Sequence, residues 1–172
     1  MRLETEINLL HRTLKYDDNG SYRWGFRIGP WEPRHEWFKL GLYPELRESD
    51  LFRRYPSGTA LPRIYGEEEC ESLIVDYLKA LREHADHVLN ERYTTAVLRT
   101  TPKEYIITVP AVWSIKAQDR TRSCAERAGM GSGNRLHIIT EPEAAGIYAL
   151  KSMPRNTFKI GDTFILCDAG GG

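Results

Sequence analysis

The longest regular pattern of apolar residues runs from residue 67 to residue 92. Apolar side chains recur there at steps of three and four residues, which aligns them along one stripe of an α-helix. Three glutamates occupy the first turn, where the helix dipole favours negative charge. The pattern therefore predicts one long helix over 67–92, with an apolar stripe made of Leu73, Ile74, Tyr77, Leu78, Leu81, Ala85, Val88 and Leu89.

A pattern with a period of two precedes this helix. Residues 12–16 predict a short strand, Asp17–Gly20 a turn and residues 21–28 a second strand. The prediction is a β-hairpin with one aromatic face, because large apolar residues alternate with polar or small ones at Tyr22, Trp24, Phe26 and Ile28. Residues 33–40 then predict a short helix, and the proline-containing stretch 41–66 predicts an irregular connection.

Strand-like and helix-like segments alternate after residue 104. Ser114 can cap the first of these helices and Gly129 can end it. The order strand, helix, strand, helix, strand is typical of an α/β fold with at least some parallel pairing. The predicted strands cover 105–109, 136–140 and 163–167, and the predicted helices cover 115–128 and 142–150.

Composition narrows the class of protein. The 172 residues carry 24 basic and 24 acidic side chains, and 41% of them are hydrophobic. This balance excludes a disordered chain, and it argues against a general nucleic-acid binder, which carries a basic excess. No apolar run reaches the length of a membrane span, and no signal peptide is visible, so we expect a cytoplasmic protein with no membrane partner. The widely spaced Cys70, Cys124 and Cys167 predict buried thiols in a reducing compartment.

The segment from Asp168 to Gly172 contains the first candidate for ligand binding. An acidic residue directly after a predicted strand can hold Mg²⁺ through water, and three successive glycines let the backbone approach phosphate oxygens. A flexible linker would explain the three glycines equally well.

The segment from Thr140 to Ala145 contains the second candidate for ligand binding. Thr140 and Glu143 have the spacing of a capping box, which explains both as a helix start. Glu141 has no part in that explanation, and it follows a strand at the edge of the sheet where α/β proteins bind ligands. It is therefore a candidate for indirect contact with a metal. The strand and turn at Val109–Trp113 could be architecture alone, and His84 with His87 on the long helix are best explained as a solvated face.

Together, three motifs resemble the nucleotide-binding domain of the seventy-kilodalton heat-shock chaperones, in a divergent branch. They are Val109-Pro110-Ala111, then Thr140-Glu141-Pro142-Glu143-Ala144-Ala145, then Asp168-Ala169-Gly170-Gly171-Gly172. The resemblance implies the ribonuclease-H-like, actin-like ATPase fold, in which two lobes enclose the nucleotide. It also implies that residues 1–160 form most of the first lobe, and that 161–172 form the first strand and phosphate loop of the second.

The same resemblance implies roles for individual residues. Asp168 would lie beside the metal, and Gly170, Gly171 and Gly172 would line the phosphates. Glu141 would contact the metal through water, and Lys39 would reach the γ-phosphate and the attacking water. The implied cofactor is ATP or ADP with Mg²⁺, the implied activity is ATP hydrolysis that drives conformational change in protein folding, and the implied partners are co-chaperones or client proteins.

Departures from the family pattern leave alternatives open. The family's first phosphate loop and most of its second lobe are absent, so we expect the isolated chain to hydrolyse ATP negligibly. Gln118 stands where the family has an arginine that relays nucleotide state, and Arg120, two residues further on, faces another way on a helix. Two alternatives remain, namely a non-catalytic protein-interaction module derived from the lobe and a fragment of a sugar or acetate kinase with the same superfold.

Overall fold

The computed structural model describes residues 13–43, 45, 65–154, 159 and 161–167. Its elements form a mixed α/β arrangement with two small sheets. The strands are β1 (Leu14–Tyr16), β2 (Tyr22–Trp24), β3 (Tyr105–Val109) and β4 (Leu136–Thr140). The α-helices are α1 (Glu67–Arg92), α2 (Thr95–Thr100), α3 (Ile115–Arg127) and α4 (Glu141–Ser152), and 3₁₀ helices cover Gly25–Arg27, Phe38–Leu42 and Gly133–Arg135.

The long helix α1 has the bounds that the apolar pattern predicts. Its buried stripe packs against α3 and against the 3₁₀ helix Phe38–Leu42. The ring of Tyr77 meets the rings of Trp24 and Phe38 edge-on, with centroids 6.2 and 5.8 Å apart. The thiol of Cys70 donates a hydrogen bond to the carbonyl of Phe38 at 2.7 Å. Helix α1 therefore joins the hairpin, the 3₁₀ helix and α3 in one core.

The hairpin is shorter than the alternating pattern predicts. Strands β1 and β2 pair antiparallel, with Leu14 opposite Trp24, but β2 ends at Trp24. Gly25 adopts a φ of 58°, which starts a 3₁₀ turn and rotates the following side chains out of register. Phe26 is consequently 71% exposed, so the prediction of a single aromatic face extending to Ile28 is wrong.

The helix predicted over 33–40 is also wrong in position. The structure has a 3₁₀ helix at Phe38–Leu42 instead, preceded by Trp37 with a φ of 62°. The chain thus turns sharply just before Phe38, and this turn directs Phe38 and Leu42 into the core. Most of the connection predicted over 41–66 lies outside the described residues, because positions 44 and 46–64 are not among them.

Ion pairs and a hydrogen bond connect polar side chains of the hairpin to Glu32. The Glu32 carboxylate lies 2.7 Å from Nη2 of Arg23 and 2.6 Å from Nζ of Lys15, and it accepts a hydrogen bond from the N–H of Gly29 at 2.8 Å. These donors stabilise the ionised form and hold the pKa of Glu32 well below its usual range, with Arg23 as the largest cause.

The second sheet confirms the predicted parallel pairing. Strand β3 pairs parallel with β4, with Tyr105 opposite Leu136 and Val109 opposite Thr140. Helix α3 connects them, and its start and end agree with the predicted signals. The Ser114 hydroxyl accepts a hydrogen bond from the N–H of Ala117, and Gly129 adopts a φ of 79° just after the helix. Within the described part of the chain, β4 is the only strand paired with β3.

The segment predicted as a third parallel strand is not one in this structure. Residues 163–167 have no strand pairing with any described residue, and a strand is defined by such pairing. Ile165 is 94% exposed, whereas Phe164 lies over Gly146 of α4. Cys167 is exposed too, which corrects its prediction as a buried thiol, while Cys70 and Cys124 are buried as predicted. None of the described helices is both long and apolar enough to cross a bilayer.

Candidate functional site

The candidate site lies at the edge of the sheet where β3 and β4 end. The two strands are parallel, so Val109 and Thr140 end them side by side. A tight turn follows β3, in which the N–H of Trp113 donates to the carbonyl of Pro110 at 3.2 Å. Helix α4 follows β4 directly and begins at Glu141. Both connections are short, and they place the residues after each strand at one edge.

Lys39 and Glu141 meet at this edge. The Nζ atom of Lys39 donates to Oε1 of Glu141 at 2.9 Å, although the two residues are 102 positions apart. Both side chains are partly buried, with 18% of Lys39 and 35% of Glu141 exposed. Lys39 is held in place by its neighbours, because Phe38 and Leu42 of the same 3₁₀ helix are almost fully buried.

The ring of Trp113 forms one wall of the site. The Nζ atom of Lys39 lies 5.2 Å from the centroid of this ring, within the range of a cation–π interaction. Trp113 is only 4% exposed and packs beside Tyr43, with ring centroids 6.4 Å apart. The sequence interpretation gave Trp113 no role. Its position four residues after the end of a strand at the ligand-binding edge is the signal that could have singled it out.

A capping box determines how helix α4 starts. The Thr140 hydroxyl accepts a hydrogen bond from the N–H of Glu143 at 3.3 Å, and the Glu143 carboxylate accepts one from the N–H of Thr140 at 2.7 Å. The hydrogen bonds that the N–H and the hydroxyl of Thr140 donate to the Glu143 carboxylate, at 2.7 and 2.8 Å, lower the pKa of Glu143. The two glutamates of this turn therefore have different roles. Glu143 caps the start of α4, and Glu141 pairs with Lys39.

Gln118 and Arg120 point to different parts of the molecule. The side-chain amide of Gln118 donates to the carbonyl of Trp113 at 3.2 Å, so Gln118 supports the turn beneath the site. Arg120 instead donates to the carboxylate of Glu71 on α1 at 3.0 Å. Arg120 thus belongs to the interface between α1 and α3, as the helical period predicts.

The structure therefore brings together two of the six predicted site residues. Asp168, Gly170, Gly171 and Gly172 lie outside the described residues, and their roles stay predictions. Among the residues that are described, no group of three or more His, Cys, Asp or Glu side chains could hold a metal ion. Glu141 supplies one carboxylate, which suits contact with Mg²⁺ through water better than direct enclosure of the ion.

Part of the chain is similar to two curated proteins from Homo sapiens. It is 36% identical over 77 residues to heat shock 70 kDa protein 12B, which covers 43% of this chain and 11% of that protein. It is 37% identical over 76 residues to heat shock 70 kDa protein 12A, covering 42% and 10%. The chain thus spans about a tenth of the length of these relatives. No family model and no solved structure matches the chain. The similarity supports a distant relationship to the heat shock 70 kDa proteins.

Proposed function

We propose that the chain is part of a chaperone-like ATPase of the heat shock 70 kDa type, which binds ATP or ADP with Mg²⁺ at the carboxyl edge of β3 and β4. The observation that carries the proposal is the contact between Lys39 and Glu141 at 2.9 Å, made across 102 positions. A residue suited to phosphate and a residue suited to hydrated magnesium lie together at the edge where α/β sheets bind ligands.

The chemistry of the two side chains fits this ligand. The ammonium group of Lys39 carries three donors and a compact charge, which suits phosphate oxygens. The carboxylate of Glu141 can accept hydrogen bonds from metal-bound water. Mg²⁺, when bound with the nucleotide, neutralises part of the phosphate charge. The task of these residues is to orient the phosphate and the water, and Trp113 limits the positions that Lys39 can adopt.

The shape of the sheet supports a larger fold around this site. Beyond β4, strand β3 has no strand neighbour among the described residues, and a two-stranded sheet is marginal alone. A cavity of about 370 Å³ lies along β3, and its walls are mainly apolar side chains such as Phe38, Leu42, Ile74 and Leu81. We propose that this pair of strands belongs to the first lobe of an actin-like ATPase fold, spanning 1–160. Residues 161–172 would begin the second lobe, with Asp168 at the metal and Gly170, Gly171 and Gly172 at the phosphates.

The biological setting follows from the same proposal. The complete protein would hydrolyse ATP in the cytoplasm to drive conformational change, with co-chaperones or client proteins as partners. The residues that line the site are one lysine, one glutamate and an aromatic ring, which suits a small anionic ligand with a metal.

Nucleotide binding by the 172-residue chain tests the proposal. We expect MgADP to bind weakly in isothermal titration calorimetry, and Lys39→Ala and Glu141→Gln to weaken it by about tenfold each, or 1.4 kcal/mol. Lys79→Ala removes an exposed lysine on α1 and is the matched control. Binding that is absent, or that neither site variant changes, would contradict the proposal. Hydrolysis by the chain that is lost in Asp168→Asn would contradict the expectation that the chain alone is inactive.

A further inference from the structure

A second cleft lies at the opposite, amino end of β3. Its volume is about 450 Å³, within the range of small-ligand sites. It lies between the end of α2 with the segment that links α2 to β3 and the loop between α3 and β4, and Tyr105 is one of its lining residues. The residues that matter for its charge are Arg99, Lys103 and Arg135. Because the Lys39–Glu141 contact is at the carboxyl edge of the same strands, the two sites are separate.

The walls of this cleft carry an excess of positive charge. Three cationic side chains line it, and no Asp or Glu is among its lining residues. Lys103 is paired with Asp86, with Nζ 2.6 Å from Oδ1. Arg99 and Arg135 have no carboxylate within ion-pair distance in the part of the chain that the structure describes. Two guanidinium groups with no carboxylate partner among the described residues, and a lysine whose charge Asp86 partly offsets, surround one open space and attract an anion.

The glycines of the neighbouring loop hold this arrangement in place. Gly131 has a φ of 84°, and a Cβ there would lie 3.3 Å from Cβ of Arg135, so the glycine leaves room for the arginine stem. Gly129 has a φ of 79° and lies against the guanidinium of Arg82, with 3.4 Å between Cζ and a Cβ placed on the glycine. The Nε atom of Arg82 is buried and has no hydrogen-bond partner among the described atoms. The guanidinium of Arg82 lies behind this wall, and its Nη2 atom is paired with Oε1 of Glu83 at 3.4 Å.

We propose that this cleft binds the phosphate group of a small ligand. Guanidinium groups offer paired donors that match phosphate oxygens, and lysine adds a compact charge. Several cations around one space favour a group that carries more than one negative charge, which a phosphate does and a single carboxylate does not. The inference is independent of the proposed ATPase function, because it uses none of the residues at the other edge of the sheet.

Binding of inorganic pyrophosphate without magnesium tests this inference. We expect weak binding at low ionic strength, measured by isothermal titration calorimetry, that salt weakens further. The double variant Arg99→Gln/Arg135→Gln should bind at least about tenfold more weakly, or 1.4 kcal/mol. The double variant Arg27→Gln/Lys79→Gln removes two exposed cations that lie outside the cleft and is the matched control for net charge.

Three results would overturn the inference. One is binding by the double variant that equals binding by the wild-type chain. Another is an equal loss in Arg27→Gln/Lys79→Gln, which would show that only overall charge matters. The third is binding of a hexaglutamate peptide by a chain that does not bind pyrophosphate, which would identify the cleft as a surface for acidic peptides. Both variants replace exposed side chains, so unchanged far-ultraviolet circular dichroism is expected in each.

Discussion

Lys39 and Glu141 should stabilise the folded chain through their mutual contact, and a double-mutant cycle measures that contribution. The single variants are Lys39→Met and Glu141→Gln, which remove the charges and keep similar shapes. Lys39 also lies over the Trp113 ring, at 5.2 Å from Nζ to the centroid. Losing that contact contributes equally to both legs of the cycle that contain Lys39→Met, so it cancels in the coupling energy.

The expected magnitude follows from distance and exposure. Fully exposed ion pairs contribute about 0.2–1 kcal/mol, and buried pairs offset their attraction by desolvation. This pair lies between these cases, with 18% and 35% of the side chains exposed and 2.9 Å between the charged atoms. We expect a coupling energy of about 1 kcal/mol, near the top of the range for exposed pairs.

Urea unfolding of the four proteins, followed by tryptophan fluorescence, gives the free energies for the cycle. The coupling should decrease when sodium chloride is raised from low to high concentration, because salt screens partly exposed charges. A coupling below about 0.3 kcal/mol, which is within the usual additivity of independent sites, would refute the reasoning. So would a coupling that salt leaves unchanged, because the contact would then not be electrostatic.

Three further predictions concern the stability of glycine variants, the dependence of stability on pH, and the reactivity of the thiols. Gly129→Ala should lower the free energy of unfolding by about 1 kcal/mol, because its φ of 79° is unfavourable for alanine. Gly146→Ala in the middle of α4 should instead raise the free energy of unfolding by about 0.5–1 kcal/mol, because alanine is the better helix former and its Cβ would lie at an ordinary 3.8 Å from the nearest Phe164 atom. Urea unfolding of both variants checks this contrast. Glu32 has a lower pKa in the folded than in the unfolded chain, so its stabilisation is present above its unfolded value of 4.5 and decreases as the pH falls below it. Thermal unfolding from pH 6 to pH 2 should therefore show a steeper loss of stability in the wild-type chain than in Glu32→Gln, and equal slopes would contradict the role of its three donors. In thiol labelling of the native chain at pH 8, the exposed Cys167 should react quickly and Cys124 only on unfolding, because burial raises the pKa of Cys124 to about 11; rapid labelling of both would be inconsistent with the structure.

Local patterns predicted the elements whose causes are local. The stripe of α1, the Ser114 cap of α3 and the capping box at Thr140 each depend on residues a few positions apart, and the structure has all three. The hairpin shows where this reasoning fails. Alternation alone continues to Ile28, but the positive φ of Gly25 ends the strand, and a single glycine inside an alternating pattern does not reveal its φ. Helix α2 was not predicted, because its six residues are too short for a periodic pattern.

The candidate site was only partly predictable for the same reason. The position of Glu141 after a predicted strand indicated the edge of the sheet at which the structure places Glu141 beside Lys39. Lys39 was identified by resemblance alone, because its own surroundings in the sequence carry no signal for phosphate. The contact between the two depends on how the 3₁₀ helix at Phe38–Leu42 packs against α1, which no local pattern specifies. The same packing gives Trp113 its place against Lys39.

The 102 positions between Lys39 and Glu141 also have a kinetic consequence. Closing so long a loop costs conformational entropy, so we expect this contact to form only after α1, β3 and β4 have assembled between its ends. Substitutions at Lys39 or Glu141 should accordingly leave the folding rate nearly unchanged, which corresponds to values near zero in a φ-value analysis of folding kinetics. They should mainly accelerate unfolding. The contact at the candidate site would then be among the last to form and would be present only in the fully folded chain.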